Sequence, residues 1–363
     1  MPGGCAPKPP AGYFLGAVPR TPAGYFWGAA PSTSTEKDIF GGYRPSNPWN
    51  MNQSARTGYS LALLAALAWS LTGPGIKFLL DTYHMPNLSV AFWRDAVIAL
   101  GCVAAFGLFR PAILRVNRHE LRAFALVGAL SIGIYHALWV LSIALNGAAV
   151  AIVLIYTFPT FVTLGSWLLF GERPQRSQFV ALVVALLGCV LLARAYDPAV
   201  LRVSWLGLLV GLATGLTHAI YVLFSQRSVQ SRSPWTSLTY TMLFGAITLL
   251  IMSLIANPAD LTAVGVDPVP WLILLVLALG PTLGGYALFT MALRHLPGPT
   301  ASLVAVTEAP AGALLAFVLL GERLAWLQIL GIALIIGAML VPQLVRRAQA
   351  QPLSEAVGAE AVS

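Results

Sequence analysis

The sequence predicts an all-α integral membrane protein: ten transmembrane helices arranged as two inverted five-helix repeats. Three observations predict it. The first is composition: of 363 residues, 58% are hydrophobic and only 9% charged, with a mean hydropathy of +0.78. A soluble domain carries roughly 25% charged residues. The second is segment length. The apolar residues fall in runs of about 20, enough for a helix to cross a hydrocarbon core about 30 Å thick, and in lipid such runs close their own hydrogen bonds only as helices. The third is internal duplication. Gly133, Tyr135, Val153 and Pro159 recur 151 residues later as Gly284, Tyr286, Val304 and Pro310 (133 to 284). Gly171-Glu172-Arg173 and Gln178 recur 150 residues later as Gly321-Glu322-Arg323 and Gln328 (171 to 321). Repeated sets of membrane helices are a common plan of secondary transporters.

Residues 1–57 form an extension rich in Pro, Gly and Ser, in which Pro10-Ala11-Gly12-Tyr13-Phe14 repeats as Pro22-Ala23-Gly24-Tyr25-Phe26. Such composition buries no core and reads as a disordered tail without a signal-peptide core. Met51, just before the first apolar run, reads as an alternative start. The first repeat occupies 58–193, with spans at Gly58–Leu80, Leu88–Phe109, Leu121–Leu145, Ala148–Phe170 and Ser177–Ala193. The second occupies 204–341, with spans at Ser204–Phe224, Trp235–Ile255, Val269–Leu293, Thr300–Leu320 and Ala325–Val341; residues 342–363 are a cytoplasmic tail. Gly73-Pro74-Gly75 predicts a break in the first span. Gly207, Gly211 and Gly215 make a small-residue seam for close helix contact. Gly171 and Gly321 suit left-handed helix caps, with Glu172 and Pro174 opening the following helix.

The net charge of +8 sits mostly in short loops, so it reads as topology rather than nucleic-acid binding. With the amino terminus inside, the inner loops hold Arg110, Arg115, Arg118, Arg122, Arg173, Arg176, Arg227, Arg232, Arg294, Arg346 and Arg347; the outer loops hold Arg194, Arg202 and Arg323. Both termini are therefore expected in the cytoplasm of a multi-pass plasma-membrane (bacterial inner-membrane) protein. An odd number of helices per repeat inverts the second copy. Cys5, Cys102 and Cys189 show no disulfide or metal spacing, and neither a cofactor nor a metal is expected.

Pro159 and Pro310 each free a carbonyl four residues back, at Ile155 and Val306, which must then face protein, water or ligand. They read as kinks around a central cavity, or as kinks that fit neighbouring helices. Glu308 lies near mid-membrane, where a charge costs about 2.5–3.5 kcal/mol. It reads as a proton-coupling acid or a hook for a substrate amine; the structural alternative is a brace for the Pro310 kink. Thr157 holds the matching place two residues before Pro159. Polar-aromatic stripes run along the third helix (Ser131, Tyr135, Trp139, Ser142), fourth (Tyr156, Thr160, Thr163), sixth (Thr214, His218, Tyr221, Ser225) and eighth (Thr282, Tyr286, Thr290). They face inward, as cavity lining or as helix-to-helix glue. His136 and His218 read as relays or as interhelix donors. Arg94 reads as a carboxylate site, a snorkelling cation or half of an ion pair, but not with Asp95, which faces about 100° away. Lys77 reads as snorkelling.

Trp69 with Lys77, Phe92-Trp93-Arg94, Pro159 leading to Gly171-Glu172-Arg173, Tyr286 followed by Ala292, Glu308-Ala309-Pro310 and Gly321-Glu322-Arg323 together resemble the drug/metabolite transporter superfamily, EamA type. The resemblance covers about residues 58–342 and omits the amino-terminal extension. It implies a ten-helix carrier for small metabolites, often an amino-acid exporter. The expected partners are a small-molecule substrate, the lipid bilayer and, through Glu308, protons; no nucleic acid is expected, and monomer and homodimer both stay open. No phosphate-binding Gly-rich loop followed by Lys-Ser or Lys-Thr occurs, so ATP is not expected to drive the cycle. No His-Glu-x-x-His or paired-carboxylate motif supports the competing class, an intramembrane enzyme. A multidrug or purine-like exporter of the same fold is a second reading, and a non-transporting sensor or scaffold a third.

Overall fold

The computed structural model describes residues 51–199, 204–262, 264–321 and 323–340. The extension before Met51, Arg202, Glu322, the Lys77 side chain and the carboxy-terminal tail lie outside the described residues. Among the described residues the protein is all-helical, with ten apolar helices. They are α1 Gln53–Tyr83, α2 Asn87–Phe109, α3 Arg118–Gly147, α4 Ala149–Phe170, α5 Arg176–Leu192, α6 Trp205–Ser231, α7 Pro234–Ala256, α8 Pro268–Ala292, α9 Gly298–Val318 and α10 Trp326–Leu340. Eight are long and apolar enough to cross a membrane by themselves; α5 and α10, the last of each repeat, are shorter. α6 runs well beyond the expected Phe224. Its final turns carry Ser225, Gln226, Arg227 and Ser228, polar residues that helical geometry tolerates outside hydrocarbon.

The two repeats exchange contacts reciprocally. α1 packs on α8 and α9, and its counterpart α6 packs on α3 and α4; α2 lies along α7. α5 and α10 touch where Gly188 meets Gly331, and Gln328 Nε2 donates to the Leu192 carbonyl at 3.0 Å. Two matching clasps fix α2 against α7. Tyr240 on α7 donates its hydroxyl to the Leu114 carbonyl at 2.7 Å, in the short 3-10 turn Pro111–Leu114 that follows α2. Trp93 on α2 donates its indole N–H to the Leu261 carbonyl at 2.9 Å, in the 3-10 turn Pro258–Thr262 that follows α7. Donor and acceptor are both displaced by 147 residues (93 to 240, 114 to 261). One clasp lies on the face of the bundle that carries the α2–α3 connection. The other lies on the opposite face, with the α1–α2 connection.

Both prolines break their helices, though at helix starts rather than within continuous spans. α4 unwinds at Tyr156-Thr157 and restarts as Phe158–Phe170; α9 unwinds at Val306-Thr307 and restarts as Glu308–Leu320. Each proline thus sits in a first turn, where its missing N–H costs nothing. Matching threonines cap the breaks: Thr157 Oγ1 donates to the Leu154 carbonyl at 2.6 Å and Thr307 Oγ1 to Val304 at 2.7 Å. The helix starts therefore pair Thr157 with Thr307, and Glu308 with Phe158. Counting back from the prolines instead pairs Thr157 with Glu308.

In α1 the break falls at Leu71, just ahead of Gly73-Pro74-Gly75, because Pro74 cannot donate to Ser70. Gly171 and Gly321 end their helices with φ of 70° and 68°, values that favour glycine. Glu172 and Pro174 do not open α5, however. Gln175 caps it, and Gln178 accepts from the Gln175 N–H at 3.0 Å. Gln328 does the same for Ala325 at 3.0 Å, which accounts for the repeated glutamine.

Two features had no signal in the hydropathy. α3 and α8 each widen into a π-helical stretch, Ala129–Ile134 immediately before Tyr135 and Ala278–Gly284 one residue short of Tyr286. Such turns carry one surplus residue and re-aim the side chains of the next turn.

Candidate substrate cavity

One cavity of about 490 Å³ lies between the repeats. Its lining begins at mid-depth with Tyr135, Tyr156, His218, Thr282, Tyr286 and Glu308, and extends through Thr72, Pro74, Ile76, Ile152 and Ala149 to Ala193. Ala149 and Ala193 stand at helix ends, so the cavity reaches the α1–α2 face. The kinks help to build it. At the break in α4 the carbonyls of Leu154 and Ile155 point at α6, and Gly215 makes room for them: a Cβ there would lie 3.3 Å from both and 2.6 Å from Thr157 Oγ1. Gly207 and Gly211 receive Asn146 and Leu154 along the same seam.

Of the residues singled out in the sequence, Trp69, Arg94, Tyr135, His136, Trp139, Tyr156, His218, Tyr286 and Glu308 line this cavity. Thr157 and Tyr221 do not. Thr157 is spent on its own helix and on Gly215. Tyr221 is fully buried on the side away from the α1–α2 face, and its hydroxyl meets Thr290 Oγ1 at 2.7 Å. Several stripe residues are internal fasteners: Ser131, Thr163 and Thr214 donate to carbonyls four residues back at 2.6–2.8 Å, and Asn146 donates to Ser142 Oγ at 3.2 Å.

The cavity floor is a lattice of rings. His218 lies 4.7 Å from Phe158 edge to face, 5.0 Å from Tyr135 and 6.3 Å from Trp69, between ring centres. Trp69 lies 5.2 Å from Tyr286, and Tyr286 5.1 Å from Tyr221. These are the offset and edge-on separations that ring quadrupoles favour. Trp69 Nε1, Thr72 Oγ1, His218 Nδ1 and Thr282 Oγ1 line or abut the cavity and are buried without a protein partner.

Arg94 and Asp95 do pair, contrary to the expectation from helical spacing. Arg94 Nε donates to Asp95 Oδ1 at 3.2 Å; a long guanidinium side chain folds back across the 100° that separates neighbouring Cβ atoms. His136 completes a triad, with Nδ1 at 2.8 Å from Asp95 Oδ2 and Nε2 at 2.9 Å from an Arg94 amino group. A neutral ring with its proton on Nδ1 satisfies both contacts, donating to Asp95 and accepting from Arg94. Asp95 is 0% exposed. Its functional signal was present in the sequence as two adjacent charges inside a 23-residue apolar helix. Glu308, by contrast, opens its helix segment and makes no hydrogen bond or ion pair with the described residues.

Beyond the floor the bundle is closed toward the α2–α3 face. The Gly298 N–H donates to Gln226 Oε1 at 3.0 Å, and the Arg227 guanidinium lies 3.9 Å over the Phe170 ring. Arg232 donates from Nε to Glu120 Oε1 at 2.7 Å, and Arg294 donates to the Arg232 carbonyl at 3.2 Å.

The chain matches the model of the EamA-like transporter family twice, over residues 56–194 and 205–341. It is 25% identical to the "Uncharacterized inner membrane transporter YicL" of Salmonella typhimurium over 82% of this chain and 99% of that protein. It is 29% identical to the "Probable terminal-alkyne amino-acid exporter" of Streptantibioticus cattleyicolor over 77% of this chain and 91% of that one. With the "Probable amino-acid metabolite efflux pump" of Salmonella typhimurium it shares 26% identity over 79% and 95%. A solved crystal structure covers 81% of this chain and 98% of its own, with a TM-score of 0.65 at 18% identity, and so shows the same fold. Two family matches, one on each five-helix half, make this multi-pass membrane protein a member of the EamA-like transporter family.

Proposed function

We propose that this protein is a secondary carrier that exports a small amphipathic metabolite, an amino acid or a solute of similar character, across the bacterial inner membrane by alternating access. The observation that carries the reading is the cavity: aromatic-walled, holding a carboxylate at mid-depth, set between two inverted repeats, reaching one face and closed toward the other. That is the geometry of a carrier caught with its site facing one compartment. With both termini in the cytoplasm, as the Arg bias favours, the α1–α2 face is external and the described state faces outward. Relatives named a probable terminal-alkyne amino-acid exporter and a probable amino-acid metabolite efflux pump support the substrate class and the direction, and the name of the YicL relative supports the inner membrane. A multidrug or purine-like solute is the second reading, favoured by the ring lattice around His218.

In the coupled version of this carrier Glu308 holds either a proton or the solute, so that a proton moves one way as the solute moves the other. Purified protein in proteoliposomes tests both levels. Counterflow of a preloaded amino acid, absent from empty liposomes, is the expected result, and uptake driven by an imposed pH gradient should be lost in Glu308→Gln. Absence of counterflow for every solute tried overturns the carrier; a Glu308→Gln variant with unchanged uptake across pH overturns only Glu308 as the coupling group.

A further inference from the structure

Among the described residues the cavity wall contains one guanidinium, Arg94, and one carboxylate, Glu308, with Asp95 buried behind Arg94, and their surroundings are unequal. Arg94 is occupied on Nε by Asp95 and on one amino group by His136. Asp95 is sealed from solvent and is the acceptor for both neighbours. With a neutral imidazole, this triad carries no net charge. A ligand carboxylate arriving at Arg94 would make the local sum negative in a water-poor wall, or would have to displace Asp95 and leave it buried and unpaired; either is expensive. Glu308 stands differently: it opens onto the cavity, and no described cation offsets it. Eight aromatic side chains share the lining with it, Tyr135, Tyr156 and Tyr286 among them, and ring faces attract cations and accept flat apolar bodies.

Building on the carrier reading, we propose that this cavity recognises its solute through a protonated amine on Glu308 and that the described residues offer no subsite for a carboxylate. An amino acid would be held by its ammonium end and its side chain alone. Amines and amino-acid esters of the same skeleton would then serve equally well or better.

Four probes sharing a phenylethyl skeleton separate the possibilities: phenethylamine, phenylalanine methyl ester, phenylalanine and 3-phenylpropionate. Binding is read in detergent near neutral pH by thermal stabilisation and by quenching of tryptophan fluorescence, since Trp69 and Trp139 line the cavity. The amine and the ester should bind at least about tenfold tighter than 3-phenylpropionate, with phenylalanine no tighter than its ester. Glu308→Gln should abolish that preference. The wild-type series decides the matter even if that variant folds poorly. Tight binding of 3-phenylpropionate, or a preference for phenylalanine over its ester that Arg94→Gln removes, overturns the amine assignment and leaves the carrier intact. Failure of all four probes, together with absent counterflow, overturns both.

Discussion

At the residue scale the instructive case is Asp95. Taken alone it is a costly anion in the middle of an apolar helix; together with Arg94 and His136 it is an internally neutral unit. Asp95→Asn should leave a buried guanidinium without its counterion and destabilise the fold by about 3–5 kcal/mol. That loss would be read as a lower midpoint of thermal unfolding in detergent. Replacing Arg94 and Asp95 together by Met and Leu should recover much of it, because the pair's cost of desolvation disappears with the pair. Helical spacing pointed away from this pairing because it tracks Cβ directions, whereas arginine reaches several bonds further. Glu308, Tyr135, His136, Trp139, His218 and Tyr286 were legible as inward-facing because lipid offers a polar or amphipathic group nothing. Whether each met the cavity or its own backbone was not legible. Thr157, Thr163 and Thr214 satisfy themselves on the preceding turn, and that choice depends on a rotamer the sequence does not specify.

At the scale of elements, the ten helices and both proline breaks could be read from segment length, turn residues and the missing N–H. The two clasps between α2 and α7 could not. Their donors, Trp93 and Tyr240, share a ring with a polar tip but not an identity, so comparing letters at one offset passes over them. The displacement also changes from 147 residues at the clasps to 151 at the Gly-x-Tyr motifs (133 to 284). Four residues are therefore added in the second copy between these points, three of them before α8 begins, as the caps Asn117 and Asp267 stand 150 apart (117 to 267). Tyr240→Phe removes one clasp bond and keeps the ring; the expected loss is about 1 kcal/mol, measurable by denaturant unfolding in mixed micelles. An equal loss from Trp93→Phe would show that the two clasps are energetic as well as geometric counterparts.

For the whole molecule, the duplication makes the departures from symmetry informative. The α2–α3 face is bound by the Glu120–Arg232 ion pair and by Arg294. Carrying Arg232 back by the clasp displacement (232 to 85) arrives at Met85, a buried apolar residue; beyond the clasps the helix caps set the match, Asn117 of α3 with Asp267 of α8, so Glu120, three residues past its cap, corresponds to Pro270. Among the described residues, one face thus has an ionic fastening between helices that the other lacks, consistent with a cavity that reaches the α1–α2 face. Arg232→Met should make the two ends more alike. The pair is partly exposed, so the shift is worth at most about 1 kcal/mol, or up to about fivefold in population. In an otherwise cysteine-free protein carrying Ile152→Cys, labelling by an impermeant maleimide from outside should slow by that factor. Unchanged labelling would assign the closed state to the ring lattice and the Gln226–Gly298 bond instead.

The wide π-helical turns in α3 and α8 mean that each of these helices contains a spare link of chain. Removing one residue from such a turn lets it tighten to ordinary helical pitch while everything on either side keeps its heading. The same excision elsewhere swings the rest of the rod by about 100° and pulls it in by about 1.5 Å. Deleting Leu130, within Ala129–Ile134, should therefore still give a well-behaved peak on size-exclusion chromatography. Deleting Leu141, further along the same helix, should give aggregate. Where most membrane helices tolerate only substitutions, this one has a place where its length itself can be edited.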